Sequence, residues 1–286
     1  MPLLTLCAAA FFGLSANAVR AGLRHQISRV GAIISIGSTV CCYLLISPVW
    51  MRTEDWFNPG LLVFAAFGLV HPWLSRYMAY EANRRVGATV SATFEANSPL
   101  FTAALAVLFL GEQLTLWLTV GTLMTVIGIG WVYWNREVAA SIMRAAALLA
   151  LGAMVLRGLL VFVTKIGLVM MPNPVMGAFA AYAVSLVCAL TFHFAKAGGG
   201  AIPVVRGGGV WFLLTGALTA TGTFCLFTAL LDGPITVVSP ILASYPLFTM
   251  LTAWLLATER LAKRAVAGVF ITVTGVVVVS LAAGGL

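Results

Sequence analysis

Three ionisable side chains, Arg76, Glu95 and Arg157, stand inside long apolar runs of this sequence. A charge placed in such a run is costly unless it meets a partner or water, so each is a candidate for chemistry. Arg76 and Glu95 flank one short polar break, each about 9–12 Å in from it at ~1.5 Å per helical residue. At similar depth on antiparallel neighbours they could form an ion pair, and that pair could be purely structural. Arg157 could compete for Glu95 or meet an anionic substrate. Burial raises a carboxyl pKa and a neighbouring arginine lowers it. A substrate carboxylate or phosphate seated on Arg76 or Arg157 would therefore free Glu95 to take a proton, which makes Glu95 the proton-coupling candidate.

Polar and aromatic residues gather near these charges. Ser91, Glu95, Ser98 and Thr102 follow one helical stripe, and Gly13, Asn17, Arg20 and Arg24 follow another. His71, Trp73, Tyr77 and Tyr80 decorate the stretch around Arg76, and Tyr245 and Thr249 stand at a comparable place late in the chain. Asn17, His71, Trp73, Arg76, Tyr77, Tyr80, Glu95, Ser98, Arg157 and Tyr245 are thus the candidate substrate-binding set. Pro72, Pro99, Pro240 and Pro246 fall inside apolar runs, where a proline removes a backbone hydrogen bond and bends a helix. Pro72, Pro99 and Pro246 are hinge candidates.

The elements that position these residues follow from composition. Only 8% of the 286 residues are charged and mean hydropathy is +1.06, against roughly 25% charged in soluble domains. Apolar runs near 3–20, 30–50, 59–82, 87–110, 114–135, 144–169, 173–195, 208–231, 234–257 and 263–283 each approach the ~20 residues that span a bilayer. The net charge of +8 sits in short gaps between runs, as membrane-surface loops do, and no aromatic–basic interleaving suggests nucleic acid. Of the 16 lysines and arginines, 12 lie in loops after odd-numbered spans and two in loops after even-numbered ones. The positive-inside rule then puts both termini outside. Cys7, Cys41, Cys42, Cys188 and Cys225 lie within apolar runs and read as small hydrophobes. Neither a metal nor another cofactor is called for. The start resembles a signal peptide but lacks a basic region, so it reads as an uncleaved first helix.

One four-letter word appears twice. Pro99-Leu-Phe-Thr102 returns as Pro246-Leu-Phe-Thr249, an offset of 246 − 99 = 147, and 12 of the 30 positions from 99 to 128 are identical in that register. Glu112 falls on Glu259, Gly121 on Gly268, Thr125 on Thr272 and Gly128 on Gly275. "RAGL" at Arg20 resembles "KIGL" at Lys165 at a slightly different offset. The chain therefore reads as two five-helix copies, 1–138 and 139–286. An odd helix count inverts the second copy, the arrangement of many secondary transporters. The expected fold is all-α and polytopic, with ten transmembrane helices in two inverted repeats. Glu112 and Glu259 read as carboxylates at helix starts, and the paired glycines as a close-packing seam.

A proline-bearing helix ending in "LGEQL" or "ATERL", then a helix with glycines seven apart, resembles the EamA-type repeat of the drug/metabolite transporter superfamily. The resemblance covers nearly the whole chain, although Thr258 stands where the first copy has Gly111. It implies a secondary transporter, an exporter or exchanger; two intramembrane arginines against one acid point to a small polar or anionic metabolite such as an amino acid or an organic or phosphorylated acid. Protons are the candidate coupling ion, the cell (inner) membrane the setting, and a monomer or homodimer the working unit. A flippase for a lipid-linked headgroup is the alternative. The sequence offers no GxSxG, HExxH or intramembrane aspartate pair for an enzyme, and no GxxxxGK[ST] loop for ATP.

Overall fold

The computed structural model describes residues 1–82, 85, 97–133, 144–197, 205–255 and 263–284. The first repeat holds α1 (Pro2–Leu23), α2 (Ser28–Trp50), α3a (Gly60–Gly68), α3b (73–82), α4 (described from Ser98 to Leu110) and α5 (Leu116–Tyr133). The second holds α6 (Arg144–Met170), α7 (Pro174–Ala197), α8 (Arg206–Asp232), α9a (Ile235–Leu242), α9b (Tyr245–Leu255) and α10 (Lys263–Gly284). Eight of these helical stretches are long and apolar enough to cross a membrane, counting α3a–α3b and α9a–α9b as one each, and α4 and α5 are shorter apolar helices. Leu3, Leu45, Leu62, Leu108 and Phe270 face outward, as suits a lipid solvent rather than water.

The two repeats are inverted, and the α5–α10 seam shows it. A Cβ on Gly121 would touch the Gly275 carbonyl at 2.9 Å, and one on Gly128 the Gly268 carbonyl at 2.8 Å. Rising numbers on α5 meet falling numbers on α10, so the helices are antiparallel. Gly121 and Gly268 are repeat equivalents, as are Gly128 and Gly275, so each contact has its mirror. That self-complementary pattern defines a two-fold relation between the repeats. Thr125 and Thr272 add to it: each hydroxyl donates back to its own glycine carbonyl, at 2.9 Å to Gly121 and 2.8 Å to Gly268.

Glu112 acts on a different helix from the one its place in the sequence suggests. Gly111, at φ 66°, ends α4 in the left-handed conformation, which turns the chain and sends the Glu112 side chain across to the second repeat. Its two carboxylate oxygens accept the backbone N–H groups of Ile235 and Thr236, both at 2.9 Å. It caps α9a, supplying the negative charge that a helix N-terminus favours. Just upstream, the Lys165 ammonium donates to the carbonyls of Leu230, at 2.7 Å, and Gly233, at 3.0 Å, at the C-terminal end of α8. The short α8–α9a link is thus held by one cation and one anion from elsewhere. Hydrogen bonds to charged groups contribute about 1.5–3 kcal/mol each. Because Glu112 is half-buried, Glu112→Gln should cost about 2 kcal/mol in all, read as a lower midpoint of thermal unfolding in mild detergent. Glu259 lies outside the described residues.

The prolines divide by position. Pro72 ends a break at 69–72 between α3a and α3b, with a cis His71–Pro72 bond. Pro99 and Pro246, expected to bend helix interiors, instead stand at the second position of α4 and α9b. There a missing N–H costs no intrahelical bond. Pro240 does sit inside α9a.

Candidate functional site

A cavity of about 200 Å³ lies between the repeats, walled by α1, α3, α6, α7, α8 and α9. Arg76 and Arg157 line it, together with His71, Tyr80, Tyr182 and Tyr245. Two helix breaks place this set. The break at 69–72 re-aims α3b so that Pro72, Arg76 and Tyr80, one turn apart, present one face to the cavity. The break at 243–244 starts α9b with Tyr245, whose ring lies under Arg157. Discontinuous helices around a central cavity are the usual setting of transporter sites.

Arg76 is held by both repeats. Its guanidinium donates to Ser35 Oγ at 2.9 Å and to the Tyr182 hydroxyl at 3.2 Å, and lies 5.2 Å from the Tyr182 ring centroid. Tyr182 in turn shares a 3.2 Å hydrogen bond with Thr223. The chain Ser35–Arg76–Tyr182–Thr223 therefore joins α2, α3b, α7 and α8. Among the described residues Arg76 forms no ion pair. The Arg157 guanidinium carbon lies 4.3 Å from the Tyr245 ring centroid and 5.9 Å from that of Phe12. A guanidinium is a planar fork of N–H groups, able to grip a carboxylate or phosphate with two parallel bonds. His71 shares a 2.7 Å hydrogen bond with Ser75 and stacks on Phe67.

The other candidates lie elsewhere. Asn17 faces α9b, donating to the Thr249 carbonyl at 2.9 Å and to the Thr252 hydroxyl. Trp73 and Tyr77 are rotated about 100° from the Pro72–Arg76–Tyr80 face and pack on Phe192 of α7, at 5.3 and 6.0 Å. Ser98 is buried at the start of α4, its carbonyl accepting from Thr102. Glu95, with its expected partnership to Arg76, lies outside the described residues, as does Ser91. Tyr182, Thr219 and Thr223 belong to the cavity wall but were not singled out from the sequence. Thr215, Thr219 and Thr223 are buried one turn apart on α8, so a polar stripe there was available as a signal. Tyr182 offered only a lone mid-span tyrosine.

The repeat relation also shows how the cavity acquires charge. In α1 and α6 the offset is 165 − 20 = 145, which pairs Phe12 with Arg157; at 147, Arg76 pairs with Thr223 and Ser98 with Tyr245. Each repeat contributes one arginine where the other has a neutral residue, so the cavity is cationic without being symmetric.

Twenty-nine solved chains match this one. One of them, described only as the crystal structure of a protein, aligns over 99% of this chain and 96% of its own length at 12% identity and a TM-score of 0.76, which shows a shared fold. Comparison with curated proteins gives no match. The sequence pattern of the EamA-like transporter family matches residues 1–134 and again 144–281. With that pattern filling both halves of a ten-helix inverted fold, the chain belongs to the EamA-like transporter family, membrane transporters of small molecules.

Proposed function

We propose that this protein carries a small organic anion, such as an amino acid, an organic acid or a phosphorylated acid, across a cell membrane by alternating access. The observation that carries the reading is the pair of arginines, one from each repeat, in one cavity between inverted halves. An anion in that cavity would meet Arg76 and Arg157 in its wall, in a low-dielectric setting where charges act strongly. Its volume, about 200 Å³, falls below the roughly 300–1,000 Å³ of pockets that hold drug-sized ligands and suits a small metabolite. Aromatic and aliphatic walls from Phe12, Tyr80, Leu160 and Tyr245 would hold an apolar body beside the anionic group. Coupling to protons through Glu95 is part of the same proposal.

Counterflow in proteoliposomes tests it. Vesicles preloaded with one unlabelled candidate (an amino acid, a dicarboxylate, benzoate or glycerol 3-phosphate) receive the labelled form outside. At least one of these anions should accumulate saturably above empty vesicles. Uptake of none of them, with neutral sugars or organic cations accumulating instead, would overturn the anion reading. In Glu95→Gln, exchange should persist while proton-driven uptake is lost; unchanged proton dependence would remove the coupling role.

A further inference from the structure

A contact made twice, once by each repeat, carries information about motion. Phe212 of α8 is wedged between Gly22 of α1 and Gly31 of α2; a Cβ on Gly22 would lie 2.8 Å from its ring, and one on Gly31 would overlap it. Phe64 of α3a is wedged in the same way between Gly167 of α6 and Gly177 of α7, where added Cβ atoms would come within 2.5 and 2.7 Å. One turn on, a Cβ on Gly216 would come within 2.5 Å of the Ser35 carbonyl, and one on Gly68 within 2.6 Å of the Ala181 carbonyl. A second ring packs on each wedge: Tyr80 on Phe212 and Phe227 on Phe64, both at 6.0 Å between centroids. All of these are equivalents: Gly22 and Gly167 at offset 145, Gly31 and Gly177 at 146, Phe64 and Phe212 at 148, Gly68 and Gly216 at 148, and Tyr80 and Phe227 at 147. The one-residue slip between Phe64 and Tyr80 falls where α3 is broken and α8 is continuous. Each repeat thus inserts a Phe-x-x-x-Gly knob into a glycine slot of the other. The two joints lie on opposite sides of the membrane, by the α1–α2 turn and by the α6–α7 turn.

The seams beside the cavity differ between the repeats. Thr249 donates to the Gly13 carbonyl and Thr102 to the Gly158 carbonyl, both at 3.3 Å. Beyond that the likeness ends. A Cβ on Gly13 would lie 2.8 Å from two α9b backbone atoms, Thr249 N and the Tyr245 carbonyl oxygen, whereas one on Gly158 would meet side-chain atoms of Phe101 and Thr102. Asn17 adds hydrogen bonds to α9b; its equivalent at offset 145 is Phe162, whose ring meets that of Phe109 of α4 edge-on, 5.8 Å between centroids. The α1–α9b seam is therefore closer than the α6–α4 seam.

In an inverted-repeat carrier, exchanging the conformations of the two halves yields the oppositely facing state. A contact that is alike in both halves survives the exchange, and a contact that differs must change. We propose that the Phe64 and Phe212 joints are the fixed fulcra of the transport cycle, while the α1–α9b and α6–α4 seams close in alternation, with Asn17 latching the first. Phe64 and Phe212 are on this account positioning residues. The inference rests on the alternating-access reading above but not on the identity of the substrate.

Spin-label distances in lipid nanodiscs, without added ligand, test it in a background with the five cysteines replaced by alanine. Pairs Leu62–Val169 and Ile27–Val210, all exposed, bracket the two joints. Leu14–Leu251, also exposed, brackets the α1–α9b seam. Asn17→Val removes the latch, and Thr252→Val removes one of its bonds from the other side should the first variant fold poorly. Either variant should move the Leu14–Leu251 population to longer distances and leave both joint pairs at single, unchanged distances. Joint distances that shift as far as the seam would overturn the fulcra, and a seam unmoved by both variants would overturn the latch. Because no ligand is used, a negative result beside positive anion counterflow leaves the anion reading standing.

Discussion

Arg157→Ala should weaken binding of the transported anion about 10–100-fold and reduce counterflow in proportion, while the protein still folds. A hydrogen-bonded charge pair contributes about 1.5–3 kcal/mol, which is 10- to 150-fold in affinity. The contacts of Arg157 with Tyr245 and Phe12 are worth about 0.5–2 kcal/mol, and alanine also removes a charge from the bilayer interior. Arg157→Lys should restore only a minor part of the affinity. Its ammonium keeps the charge but has neither the planar face that lies on Tyr245 nor the fork that fits a carboxylate. Titrating thermal stability with the anion that gives counterflow reads the affinity, and unliganded stability reads the fold. Equal affinity for alanine and wild type would mean the anion sits elsewhere.

Arg76 should behave differently, and the difference follows from its partners. Its hydrogen bonds to Ser35 and Tyr182 tie the first repeat to the second, so its loss removes a structural link as well as a charge. Arg157 instead lies against the rings of Tyr245 and Phe12 at the cavity wall.

Much of this arrangement was legible in the sequence. A doubled PLFT at an offset of 147 implied two copies, and five helices per copy implied inversion. Glycines spaced for one helix face implied a close-packing seam on α5 and on α10, but not that the two helices meet each other through it. Arg76 and Arg157 stood out because a membrane makes charge expensive. What stayed hidden was direction. Trp73 and Tyr77 share α3b with Arg76 but point 100° away, and the break at 69–72 sets that rotation. Asn17 looked like a cavity residue because polarity in a span marks an interior face, and an interior face can equally be another helix. Glu112 sits between α4 and α5 in sequence and caps α9a in space. The Phe64 and Phe212 joints each draw on three helices, and phenylalanine and glycine are too common in oily segments for the pattern to show before the helices are packed.

Gly128→Val should abolish the folded protein or nearly so, whereas Gly130→Ala, two residues away on the same helix, should raise stability slightly. A Cβ on Gly128 would lie 2.6 Å from Thr272 N and 2.8 Å from the Gly268 carbonyl. Both are backbone atoms of α10, which cannot swing aside as a side chain can. Relief requires α5 and α10 to separate, and a tightly packed interface loses its dispersion contacts steeply with distance. Overpacking typically costs about 1–3 kcal/mol and more where the neighbours are rigid. Here the seam joins the two repeats, so its separation also disturbs the mirror contact at Gly121 and Gly275. A Cβ on Gly130 meets nothing within 4 Å, so alanine there brings only the helix gain of about 0.5–1 kcal/mol over glycine. Gly275→Val should fail as Gly128→Val does, because its Cβ would lie 2.7 Å from Thr125 N, the equivalent clash in the other repeat. Size-exclusion profiles and thermal unfolding in mild detergent separate the outcomes. If Gly128→Val and Gly275→Val unfold within a degree or two of wild type, α5 and α10 do not pack through these glycines, and the two-fold relation read from that seam falls with it.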